Sequence, residues 1–139
     1  RLHVRMTTYT PSPSVTALLE QLRRVAQLPP RVCISKPSSD RSVSMASKLR
    51  CDDGMAAVCE VLAECGALQM TSLSSNSDLS VHAYHQFALV LPRLSSLHTL
   101  WLNSLSIMSD EHDALAVIAD ALPHTSIALV GLCSCDVGP

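Results

Sequence analysis

The chain has 139 residues, 47% of them hydrophobic but only 3% aromatic, and a net charge of −2. This is apolar material for one modest domain with an aliphatic core. The charge balance gives nucleic-acid binding no electrostatic support, and no apolar run approaches the roughly 18 residues that a membrane-spanning helix needs.

No signal-peptide pattern opens the chain. It starts at Arg1 and stops at Pro139 without a helix pattern or polar cap, so it is expected to be a piece of a longer protein. Leu2-x-Val4 reads as a first strand pair. Val15, Leu18, Leu19, Leu22, Val25 and Ala26 then recur at helical spacing, with Ser14 as cap. Arg23, Arg24 and Arg31 form a small basic cluster, read as a solvated helix end. Val32-x-Ile34 reads as the next strand pair. A polar, Ser-rich loop follows at 35–48, an insertion of about ten residues within the region 35–50. A second helix covers 53–65, with Met55, Val58, Cys59 and Leu62 inward. Leu68, Thr71 and Leu73 mark the third strand. The third helix, 80–91, turns Val81, Tyr84, Ala88 and Leu91 inward and stops at Pro92. Residues 97–107, "LHTLWLNSLSI", carry the clearest strand pair, Leu100-x-Leu102. The fourth helix, 109–122, has Leu115, Ile118, Ala119 and Leu122 inward and stops at Pro123. Ser109 is its expected cap, and Asp110, Glu111 and Asp113 suit the positive end of its dipole. Ile127, Val130, Leu132, Cys135 and Val137 then repeat the spacing of 97, 100, 102, 105 and 107.

The second members of these pairs are Val4, Ile34, Leu73, Leu102 and Leu132, at intervals of 30, 39, 29 and 30 residues. Three intervals near 30 indicate internal repetition of a strand, turn, helix and return loop. In such a strand alternate residues face opposite sides, so Leu100 and Leu102 enter the core beside the inward helix face. Neighbouring units bury each other's flanks.

The pattern resembles the leucine-rich repeat family in its helix-containing, ribonuclease-inhibitor-like subclass. That motif, L-x-x-L-x-L-x-x-N/C-x-L followed by a helix, appears as "LHTLWLNSLSI" and "IALVGLCSCDV". Asn76 and Cys135 match its Asn/Cys position; Leu105 and Thr7 do not. The resemblance is good over 55–139 and weaker over 1–34. It implies an α/β solenoid over residues 1–139 of four to five repeats, with parallel strands on a concave face and helices on the convex face. It implies a non-catalytic protein–protein interaction or scaffold module, a subunit or segment of a larger assembly, whose partner is another protein or other subunits. Cofactor, membrane, nucleic acid and small-molecule substrate are not expected.

The six cysteines are Cys33, Cys51, Cys59, Cys65, Cys133 and Cys135. An even number in a small chain raises a disulfide framework. Four of them lie in apolar segments, which favours reduced, buried thiols and an intracellular, cytoplasmic setting. Zinc ligation lacks a C-x2-C pair and a matching second half. "CSCD" at 133–136 also resembles the cysteine cap of extracellular leucine-rich arrays, which use shorter, helix-poor repeats. His82 and His85 lie one helical turn apart and read as a surface pair; "DEHD" at 110–113 reads as an acidic helix start. There is no Gly-rich phosphate loop, no G-x-S-x-G and no H-E-x-x-H. The alternative is a small α/β enzyme or thiol-redox domain, whose sheet would carry helices on both faces and a switch-point crevice.

Trp101, the only tryptophan, sits between two inward leucines and should face away from the core, onto the concave side by the family resemblance. Exposed aromatics on such a face are frequent anchors for partners; packing on a neighbouring strand is the other reading. Met70, Ser72, His98, Asn103, Leu129 and Cys133 complete the expected partner-binding set, with Ser74, Thr99, Ala128 and Gly131 around them. This face is almost uncharged, which suits a partner held by shape and apolar contact.

Overall fold

The computed structural model describes residues 9–76, 79–102 and 109–132, with side chains omitted for 109–114. The readings at Leu2, Val4, Thr7, Asn103, Leu105, Cys133, Cys135 and Val137, and at the side chains of "DEHD", lie outside what is described.

Helix α1 is Pro13–Ala26. Ser12, in extended conformation, accepts a hydrogen bond from Val15 N at 3.3 Å, and Pro13 fills the first helical position, where its missing N–H costs nothing. Ser12 is therefore the cap, not Ser14, whose hydroxyl instead donates to Lys48 O at 3.1 Å. Val15, Leu18, Leu19, Leu22 and Val25 are buried, as their spacing predicts.

Strand β1 is Ser42–Ser44. The expected strand at Val32-x-Ile34 does not form: these side chains are 80% and 89% exposed. The inward pair is Val43-x-Met45, at 3% and 0% exposure. The Ser-rich segment expected to be a loop thus contains a strand. The long connection precedes β1, over 27–41, rather than following a strand at 35–50. Buried polar side chains hold its backbone outside the core. Arg41 Nη1 donates to Pro29 O at 2.7 Å, and Gln69 Nε2 donates to Arg31 O at 3.1 Å. Gln69 Oε1 accepts from Ser38 N at 2.9 Å, and Ser96 Oγ accepts from Arg31 N at 3.1 Å.

Helix α2 is Asp52–Leu62, with Asp52 and Asp53 at its positive end. Gly54 is required there, because a Cβ would collide with the carbonyl of Leu49. Asp52 also ties two units together: its carboxylate accepts from Ser80 N at 2.9 Å and from Ser80 Oγ at 2.5 Å, at the start of the next helix. Strand β2 is Met70–Ser72, helix α3 is Val81–Val90 and strand β3 is Thr99–Trp101. In α3, Tyr84 and Ala88 are buried as expected, together with Ala83, Phe87 and Val90, whereas Val81 is half-buried. Helix α4 is Ser109–Ala121 and strand β4 is Leu129–Gly131. Ser109 is thus the first helical residue rather than the cap. In α4, Ile118 is buried, Leu115 and Leu122 are half-buried, and Ala119 is exposed rather than inward. Pro92 and Pro123 each sit in a short 3-10 turn that closes the preceding helix.

The four strands form one parallel sheet in the order β1-β2-β3-β4. Each pairs with its neighbours in the chain, so the sheet has no point where strand order reverses. The helices also pack in chain order, α1 on α2, α2 on α3 and α3 on α4. Inward strand residues Val43, Leu73, Leu100 and Leu102 share one core with the helices' buried faces. Met45, Leu73, Leu102 and Leu132 occupy matching positions 28, 29 and 30 residues apart. Ser47 and Ser75, two residues beyond Met45 and Leu73, share a left-handed backbone, φ 57° and 62°. Among the described residues, no helix is long and apolar enough to cross a membrane.

Candidate functional site

The side of the sheet facing away from the helices is built from two rows. Register places Ser42, Met70, Thr99 and Leu129 side by side, and beside them Ser44, Ser72, Trp101 and Gly131. Alternation along each strand sends these eight residues outward while Val43, Thr71, Leu100 and Val130 point inward. None of the eight carries a charge. Met70, Ser72, Trp101 and Leu129 of the expected set are thus brought onto one face; Ser42 and Ser44 join them. These two serines are missed because the pair Val32-x-Ile34 points to a strand eleven residues before β1; the alternation Ser42-Val43-Ser44-Met45 is the signal that finds them.

Trp101 is half-buried rather than freely exposed. Its six-membered ring abuts Gly131 of the neighbouring strand, where any Cβ would collide with the ring-edge atoms Cε3 and Cζ3 and approach Cδ2 to 3.1 Å. The ring packs on a neighbouring strand and stays partly exposed. Gly131 is what permits this close seat. The hydroxyls nearby are satisfied internally. Ser72 Oγ donates to Ser74 Oγ at 2.9 Å and accepts from Ser74 N at 3.1 Å, and both serines are buried. His98 lies beside the rows, half-buried, with Nδ1 2.8 Å from Thr99 Oγ1. Leu129 is 42% exposed, an apolar side chain open to solvent at the end of its row. The surface so made is uncharged and partly apolar, with few hydrogen-bonding groups left to offer. It suits contact by shape.

The face is held by one polar node at the strand ends. Asn76 is buried; its Nδ2 donates to Met45 O at 2.8 Å and to Leu73 O at 3.0 Å, while Oδ1 accepts from Leu49 N at 3.2 Å. One amide side chain thus satisfies three backbone groups from two adjacent turns.

The other sequence candidates are dispersed. His82 and His85 are exposed on α3. Cys33, Cys51, Cys59 and Cys65 are free thiols. Burial pushes Cys59 up to about 12, and burial with the nearby Glu64 carboxylate pushes Cys65 up to about 11. Cys65 Sγ donates to Leu22 O at 3.2 Å, tying the turn after α2 to α1. Such thiols are packing elements rather than nucleophiles at neutral pH. Among the described residues, no group of three or more His, Cys, Asp or Glu is placed to hold a metal ion.

No protein-family model matches the chain, and no curated protein matches it significantly.

Proposed function

We propose that this chain is a leucine-rich-repeat-like solenoid segment, and that the outer face of its sheet binds another protein without catalysis. Four features support the repeat reading. The inward pairs recur at 28, 29 and 30 residues. The strand order follows the chain. Asn76 bridges two turns at the position the family motif reserves for Asn. The turns after β1 and β2 share a left-handed serine. Sequential strand order also speaks against a doubly wound enzyme sheet, and the raised Cys59 and Cys65 pKa values speak against those two thiols as redox centres. Free thiols in the core favour a reducing, intracellular setting.

The observation that carries the binding role is Trp101 seated on Gly131 within a face of eight uncharged positions. A rigid aromatic anchor surrounded by small side chains is the composition of an interaction hot spot. The partner is another protein, or other subunits of the same assembly, with an apolar complementary surface. Capture of partners from the source cell, comparing the wild type with Trp101→Ala, tests this. The wild type should retain a partner that Trp101→Ala loses by at least tenfold, while both keep the same circular dichroism spectrum. Equal capture by both would assign the ring a packing role only.

A further inference from the structure

Positions that are sealed in the inner units are open in the last one. Met45, Leu73 and Leu102 are 0–2% exposed, whereas Leu132 at the matching place is 45% exposed. Leu91, before Pro92, is buried; Leu122, before Pro123, is half-buried. Leu97 and Leu100 are buried; Ile127 and Val130 are half-buried. Together Leu102, Leu115, Ile118, Leu122, Val130 and Leu132 line an apolar groove between α4 and β4.

In the inner units this groove is filled by what comes next in the chain. Helix α4 covers α3, and Leu73 N and Leu102 N donate to Trp101 O and Gly131 O of the following strands at 2.9 and 2.8 Å. The groove at the end of the sheet continues that interface, and among the described residues β4 is the terminal strand there. The opposite end is different. There the surface between α1 and β1 mixes Ala17, Val25, Leu28 and Val43 with the charged Glu20, Arg24 and Asp40, and the inward residues of α1 are already buried. Stacking copies of the chain head to tail would press those three charged side chains against an aliphatic groove, a mismatch that disfavours a second copy there.

We infer that the α4–β4 groove is covered by a further strand–helix unit of about 29 residues, pairing parallel to β4 and laying an aliphatic helix face on α4. The unit must bring its own strand: an amphipathic helix alone leaves β4 an open edge. This surface is separate from the outer sheet face, and the inference stands or falls without the partner role proposed there.

The test extends the full chain. A copy of residues 110–132 fused after Pro139 keeps the 30-residue offset of the preceding unit, and proline is tolerated at the first turn of the new helix. A second version carries Leu115→Ser, Ile118→Ser and Leu122→Ser within the copied segment only. Amide exchange at residues 129–131, the urea midpoint and the sedimentation mass are read for both and for the parent. The intact copy should slow exchange at 129–131 by at least tenfold and raise the urea midpoint, and the serine version should do neither. Unchanged exchange with the intact copy would overturn the inference. A parent that is a dimer, becoming monomeric and unprotected at β4 with Leu132→Asp, would also overturn it in favour of a second copy. A parent whose β4 protection is lost on deleting residues 133–139 would overturn it in favour of that segment.

Discussion

At the scale of single residues, Thr71 departs furthest from what its place demands. It occupies the first leucine position of its pair, is fully buried, and its Oγ1 has no hydrogen-bond partner. A buried hydroxyl without a partner costs on the order of 1–3 kcal/mol. Thr71→Val keeps the branched shape and removes the hydroxyl. It should raise unfolding free energy by about 1 kcal/mol, measured by urea denaturation with an unchanged slope. A loss of stability would show that the hydroxyl has a partner in solution. Leu100, Leu102 and Trp101 were legible from alternation alone, because inward leucines flanking an aromatic leave only one direction for the ring. Its seat was not legible: that Gly131 lies under the indole depends on register between strands 30 residues apart, which no local pattern encodes.

At the scale of elements, all four helices could be read from periodicity, since their apolar stripes are the strongest signal a sequence carries. Strand β1 could not. Val32-x-Ile34 is the more hydrophobic pair, and hydrophobicity placed the strand there. The segment instead stays outside, because Arg41, Gln69 and Ser96 bind its backbone from below. These are long-range contacts between side chains that look ordinary in sequence. Gln69 is the central one, meeting both Arg31 O and Ser38 N. Gln69→Ala should release residues 29–38 while sparing the sheet. Limited proteolysis should then cut within that segment several-fold faster, with the thermal midpoint lowered by only a few degrees, because the backbone groups freed are near solvent. Unchanged cleavage would mean that the remaining bonds suffice.

At the scale of the whole molecule, pH acts through the buried thiols. Below about pH 8.5 an unfolded cysteine is neutral, and so are Cys59 and Cys65 in the folded chain, at about 12 and 11. Above that, the unfolded chain sheds protons that the folded chain keeps, so the folded state binds more protons and stability falls as pH rises. The loss should grow from about pH 8.5 toward the folded values. A Cys59→Ala, Cys65→Ala variant should show a shallower decline between pH 8 and 10.5 in urea midpoints, whatever its absolute stability; parallel curves would place the sensitivity elsewhere. The order of the strands was readable at this scale because the inward pairs recur at nearly constant distance. Which surface meets a partner was readable only as a direction, outward, since strand alternation fixes a side and nothing more.

The indole resting on Gly131 also makes the chain's single tryptophan a local gauge. Its emission colour follows whether the last two strands stay clasped, independently of α1 and α2. A shift to longer wavelength under mild denaturant, with helical ellipticity still intact, reads the fraying of that one edge and separates it from collapse of the remainder.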